Sequence, residues 1–103
     1  MLGSRKQAQI QRTTAGATAI FAAPATGRYS IKDIIITGNV HATGTVVVSS
    51  PTYTFASYIP TYGHPSIHFS GDGFRLEAGE ALTLTTAVAD FLVNVVAIAY
   101  QIG

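Results

Sequence analysis

The chain contains no cysteine and no tryptophan, and it is poor in charge: 11% of its 103 residues are Asp, Glu, Lys or Arg, against roughly 25% in an ordinary soluble domain. Without cysteine, disulfide frameworks and thiolate metal sites are excluded. Without tryptophan, the usual sugar-stacking platform is missing. The shortage of charge is not a sign of disorder, because 48% of the residues are hydrophobic and β-branched side chains are plentiful. A domain with so few ionic groups is expected to bury surface against copies of itself or a partner. The alternative is a monomer whose surface is Thr, Ser, Gly and Ala.

Long apolar runs are also lacking. No segment offers about 20 uninterrupted apolar residues, so no transmembrane helix and no membrane partner are expected. The run that comes nearest, "FLVNVVAIAY", is cut by Asn94 and follows Asp90; either would be costly at mid-membrane. The opening "MLGSRKQAQIQRTT" has no apolar stretch of the signal-peptide kind.

What charge there is lies unevenly. Arg5, Lys6 and Arg12 fall within the first twelve positions, and the remainder of the chain carries three basic against five acidic residues. A basic arm on a mildly acidic body suits an anionic protein surface or nucleic acid. Three charges give little affinity for nucleic acid at physiological salt, so protein contact is the preferred reading, with mere solubility as the alternative. Residues 1–16 read as an extended basic arm, and 17–103 as one domain.

Within that domain, β-rich runs alternate with turn residues: "ATAIFAA", "YSIKDIIIT", "TGTVVVSS", "TYTFASY", "SIHFS", "FRLEAG", "EALTLTT" and "FLVNVVAIAYQI". About eight strands predict an all-β chain, a single antiparallel β-sandwich of jelly-roll type. The last run, rich in Val and Ile, reads as a strand buried on both faces, with a helix as the alternative. Asn94 then needs a partner, either a neighbouring backbone group or its equivalent across a symmetry axis. "GDG" and "TGNVHATG" read as hairpin turns.

Residues able to do chemistry are few. His64 and His68 flank Pro65, and His41 sits in another turn; a zinc site needs three or four converging ligands, and no metal or other cofactor is expected. The acids form no evident pair, no Ser lies in a nucleophile elbow, and no Gly-rich loop precedes a helix. The chain is not expected to be an enzyme. The most unusual segment, "TYTFASYIPTYGHPSIHF", holds Tyr53, Phe55, Tyr58, Tyr62 and Phe69, half of the ten aromatics. Tyr53 and Phe55 are expected in the core. Tyr58, Tyr62 and His64, at a loop tip, suit either loop packing or contact with a subunit or partner.

The phrases "FRLEAGEALTLTTAVADFLVNVVAIAYQI" and "ATAIFAAPATGRYSIKDIIITGN" resemble the closing and opening strands of small β-sandwich head decoration, or cement, proteins of tailed bacteriophages. The resemblance covers residues 17–102. It implies a trimer on the outer capsid surface of the virion that clamps neighbouring capsomers and contacts the major capsid protein, often through an N-terminal arm. Here that arm would act through Arg5, Lys6 and Arg12, while Asn94 joins Tyr58, Tyr62 and His64 as subunit or partner contacts. Similar phrases occur in phage tail and fibre modules. The alternative is therefore a recognition module that binds a carbohydrate or receptor through Tyr58, Tyr62 and His64.

Overall fold

In the computed structural model, which describes residues 3–39, 44–87 and 92–103, period-two alternation becomes two antiparallel sheets packed face to face. The strands are β1 (Ser4–Arg12), β2 (Gly16–Phe21), β3 (Arg28–Gly38), β4 (Val46–Ser49), β5 (Thr54–Tyr58), β6 (Ser66–His68), β7 (Phe74–Arg75), β8 (Leu82–Thr86) and β9 (Val93–Ile102). One sheet has the order β1-β9-β3-β6, with β7 also paired to β3; the other runs β2-β8-β4-β5. Among the described residues the only helical element is a 3₁₀ turn, Pro60–Tyr62.

The core lies between the sheets. Ile31, Ile34 and Ile36 of β3 and Val93, Val95, Ala97 and Ala99 of β9 face Val46 and Val48 of β4 and Leu82 and Leu84 of β8, all buried. Each of the larger ones contributes on the order of 1.5–3 kcal/mol of transfer free energy.

The closing run is a strand, as its β-branched content implies, but it is not buried on both faces. Val93, Val95, Ala97 and Ala99 point inward, while Asn94, Val96, Ile98 and Tyr100 alternate with them on the outer face and are half-buried. Asn94 is thus not enclosed within a single chain, and the burial that would have demanded a partner is absent.

The N-terminal segment departs most from expectation. Rather than extending away from the sandwich, residues 4–12 form β1 and pair with β9 from Ser4↔Gln101 to Arg12↔Val93. Ala8 and Ile10 turn inward and pack against the core, while Gln7, Gln9 and Gln11 turn outward and are exposed. Pairing satisfies one row of backbone groups along the otherwise open edge of β9, and it moves the start of the sandwich to Ser4. The structure therefore holds nine strands among the described residues, β1 preceding the eight expected runs.

Two expected hairpins are also absent. β6 and β7 do not pair with each other; both pair with β3, on either side of a register shift between Ile31 and Asp33. The "GDG" turn therefore interrupts an edge rather than reversing it. Gly73 has φ +86°, and a Cβ there would lie 2.5 Å from the Ile31 carbonyl oxygen, so no other residue fits. "TGNVHATG" joins strands of different sheets, and residues 40–43 lie outside the described residues.

Candidate interaction surfaces

Three places gather the side chains that the sequence singles out. The first is the outer face of the five-stranded sheet. Cross-strand register lines up Gln9, Val96, Ile35 and Ser66 in one row and Gln7, Ile98, Asp33 and His68 in the next. Gln11, Asn94 and Thr37 form a third. Aliphatic side chains occupy the middle, with amides and hydroxyls around them, and Ile35 is 44% exposed. Arg5 stands beside Tyr100 on the β1 side of β9. Asp33, on the β3 side, meets His68 Nδ1 at 2.6 Å. Both Arg5 and Lys6 are exposed on β1.

Arg12 is placed differently. Its position on β1 shares the inward parity of Ala8 and Ile10, so its guanidinium crosses to the other sheet. Nε donates to Thr86 Oγ1 at 3.2 Å, Nη1 to Thr18 Oγ1, and Nη2 to the Ala15 carbonyl at 3.0 Å and the Thr14 carbonyl at 3.2 Å. The Thr86 hydroxyl in turn donates to the Thr14 carbonyl at 2.7 Å. The turn that makes this possible favours Gly16, whose φ of +130° is a backbone conformation that other residues rarely adopt. Arg12 is occupied as a strut between sheets; Arg5 and Lys6 are the arm cations left on the surface.

The third place is the loop from β5 to β6. Tyr58 at the end of β5 and His64 beyond the 3₁₀ turn share a hydrogen bond of 2.6 Å, hydroxyl to Nδ1, with their rings edge to face at 5.5 Å. Burial pushes the Tyr58 hydroxyl well above its ordinary value, so it remains protonated. His64 Nε2 is buried without a hydrogen-bond partner, a cost on the order of 1–3 kcal/mol if nothing relieves it. Tyr62 does not join the pair: it projects from the loop at 89% exposure. Ser57, Tyr58, Ile59, Tyr62, Gly63, His64 and Pro65 line an open recess of about 620 Å³. Tyr53 and Phe55 pack partly buried against the core. Phe74 ties them into a cluster with Phe69, its ring lying 4.9 Å from Tyr53 and 5.3 Å from Phe55.

Among the described residues no group of three or more His, Asp or Glu side chains converges as metal ligands, and His41 lies outside them. Glu77 accepts from the Tyr53 hydroxyl at 2.9 Å and Glu80 accepts from Thr52, so both hold the β4–β5 hairpin. No helix among the described residues is long and apolar enough to cross a membrane. Sequence reasoning missed the strut, because Thr86 lies 74 residues from Arg12 and no local pattern links them. The fold defines an all-β chain of two antiparallel sheets packed together. Family models, curated proteins and solved structures yield no match to the chain.

Proposed function

We propose that the protein is a capsid decoration protein of a tailed bacteriophage, not an enzyme, which binds the outer surface of the assembled head as a homotrimer and clamps neighbouring capsomers. The observation that carries this reading is the outer face of the five-stranded sheet. Half-buried Val96 and Ile98 and exposed Ile35 form an apolar strip bordered by amides and hydroxyls, with Arg5 and Asp33 at its margins, the apolar centre and polar rim of a protein interface. The resemblance of residues 17–102 to head decoration sandwiches supports it. So does the strand order: counting β6 and β7 as one interrupted strand gives eight, and β1-β9-β3-β6 over β2-β8-β4-β5 is compatible with a jelly roll, a fold common in capsid proteins.

The mechanism is linkage. A protein that binds only the assembled lattice stabilises that lattice by mass action, and three joined footprints add avidity. Arg5 and Lys6, exposed on β1, supply the contact to the major capsid protein. Since β1 belongs to the sheet, truncating it would expose the edge of β9. The point variant Arg5→Glu/Lys6→Glu is the better probe.

Co-sedimentation with purified heads of the phage encoding the chain tests the reading. Saturable binding and a raised head-disruption temperature are expected, both weakened in the double variant. A chain that stays in the supernatant at every concentration sinks the proposal.

One observation favours a second reading, a tail- or fibre-associated module that recognises a carbohydrate or receptor. The recess beside Tyr58 and His64 is open, and Tyr62 offers a bare ring face at its rim. A glycan array followed by Tyr62→Ala tests it: a ligand lost without loss of folding supports this reading, and an empty array argues against it.

A further inference from the structure

Five residues of the chain are Asp or Asn, and of these only Asp72 is followed by glycine; Asp33, Asn39, Asp90 and Asn94 precede Ile, Val, Phe and Val. That neighbour decides a chemical fate. The backbone nitrogen of the next residue can attack the side-chain carbonyl carbon of Asp, and glycine, with no Cβ, leaves that nitrogen unshielded. Asp72 is exposed in the turn of residues 70–73. We propose that Asp72–Gly73 is a site of spontaneous backbone isomerisation, and that Ser30 and Lys32 of β3 hold it shut in the folded chain.

The reaction needs water alone, with no oxidant or reductant. Gly73 N loses its proton and bonds to Asp72 Cγ, one water leaves the carboxyl group, and a five-membered imide closes. A water then opens the ring. Breaking the bond from Cγ to N restores Asp. Breaking the bond from the main-chain carbonyl carbon to N leaves the chain running through Cγ, as an isoaspartate with one extra backbone methylene.

Attack requires the peptide between Asp72 and Gly73 to turn toward Cγ, and its surroundings oppose that turn. Gly73 N–H donates to the Ser70 carbonyl at 3.2 Å. The Ser30 hydroxyl donates to the carbonyl of Asp72, part of the very peptide that must rotate, and Lys32 Nζ donates to the Gly71 carbonyl at 2.6 Å. Ser30 is fully buried, so opening the turn strands its hydroxyl away from its partner. The flanks are pinned as well: Phe69 N–H donates to the Lys32 carbonyl and Leu76 N–H to the Tyr29 carbonyl, both at 2.9 Å. Gly73 lies so near β3 that a Cβ would meet the Ile31 carbonyl oxygen at 2.5 Å. An isoaspartate adds a methylene where there is no room for it, and so loosens the edge that β6 and β7 complete.

Ageing the intact chain in warm neutral buffer, beside a synthetic peptide of residues 69–75, tests the site and its guard together. Proteolysis, chromatography and mass spectrometry measure isoaspartate at position 72. The folded chain is expected to react at least about tenfold more slowly than the peptide, the population factor given by about 1.4 kcal/mol of local opening free energy. In urea the unfolded chain should match the peptide. Ser30→Ala and Lys32→Met should each react several-fold faster than the wild type while remaining folded by circular dichroism, which separates local release from global unfolding. Should Ser30→Ala unfold, Lys32→Met carries the comparison. A folded wild type that reacts as fast as the peptide overturns the guard, and folded variants no faster than the wild type remove Ser30 and Lys32 from it. Isoaspartate that forms in the unfolded chain at another Asp or Asn, and not at 72, overturns the site.

Discussion

The two long edges of this sandwich are closed by different physics. Where β1 lies over β2, closure is polar: one guanidinium reaches hydroxyls and carbonyls of the opposite sheet and of the turn between them. Where β5 lies opposite β6 and β7, closure is apolar: Tyr53, Phe55, Phe69 and Phe74 interlock edge to face or tilted, with centroids 4.9–5.9 Å apart. Polar closure is directional and fixes the position of β1 against the second sheet. Apolar closure is tolerant of angle and stabilises in proportion to area. A short chain with few charges thus uses one of its few on registry and closes the other edge with bulk.

Removing the centre of each closure separates the two. Phe74 touches Tyr53, Phe55 and Phe69, so Phe74→Ala opens a cavity that its three neighbours cannot all fill. It is expected to cost about 3 kcal/mol, at the low end for Phe→Ala because Phe74 is half-buried, read as a lower urea midpoint with little change in slope. Arg12→Ala is expected to cost about 2 kcal/mol, through loss of charge-assisted hydrogen bonds to groups that include the buried Thr86 hydroxyl. Arg12→Lys should recover little of this, since an ammonium cannot reach Thr86, Thr18 and Ala15 at once. Full stability in Arg12→Ala would show the strut to be dispensable and return that cation to the pool available for partners.

How far these closures were legible in the sequence follows from the range of the interactions. The strands from residue 17 onward were readable because alternation and turn residues are local, and the apolar edge was half readable because its aromatics crowd one segment. β1 was misread as an arm although "QAQIQ" alternates at period two: its inward residues, Ala8 and Ile10, are few and small, and the pairing with β9 that makes it a strand spans most of the chain. The bridge from Arg12 to Thr86 is 74 residues long, so no local pattern encodes it. The same holds for "GDG", whose composition is that of a hairpin turn. Only its pairing on both sides to β3 reveals an interruption. At the loop, the crowding of Tyr and His was visible, but not that Tyr58 would turn in toward His64 while Tyr62 turns out.

Alkaline pH should spare the polar edge and act on the tyrosines elsewhere, among them Tyr29 of β3, whose hydroxyl burial raises above its ordinary value. No tyrosine takes part in the polar closure. At the apolar edge, the Glu77 hydrogen bond and negative charge raise the Tyr53 hydroxyl above its ordinary value, and burial does the same to Tyr58. A group raised in the folded state contributes stability that is whole below its unfolded value, near pH 10, and is lost as pH climbs toward the folded one. The melting temperature is therefore expected to be level up to about pH 9 and to fall above pH 10. Tyr58→Phe should flatten part of that fall and Arg12→Ala none of it. A fall of equal steepness in Tyr58→Phe would deny Tyr58 any share.

The smallest effect belongs to the pair that lies outside both closures. Asp33 and His68 meet at 2.6 Å on the outer face, with 67% of the His68 side chain exposed. Solvent screens such a pair, and exposed ion pairs contribute about 0–1 kcal/mol. Asp33→Asn should accordingly shift the urea midpoint of the isolated chain by no more than about 0.5 kcal/mol, and added salt should shrink even that. A loss of more than about 1 kcal/mol in Asp33→Asn would instead make Asp33 a fold residue, a third closure that the two edges alone do not account for.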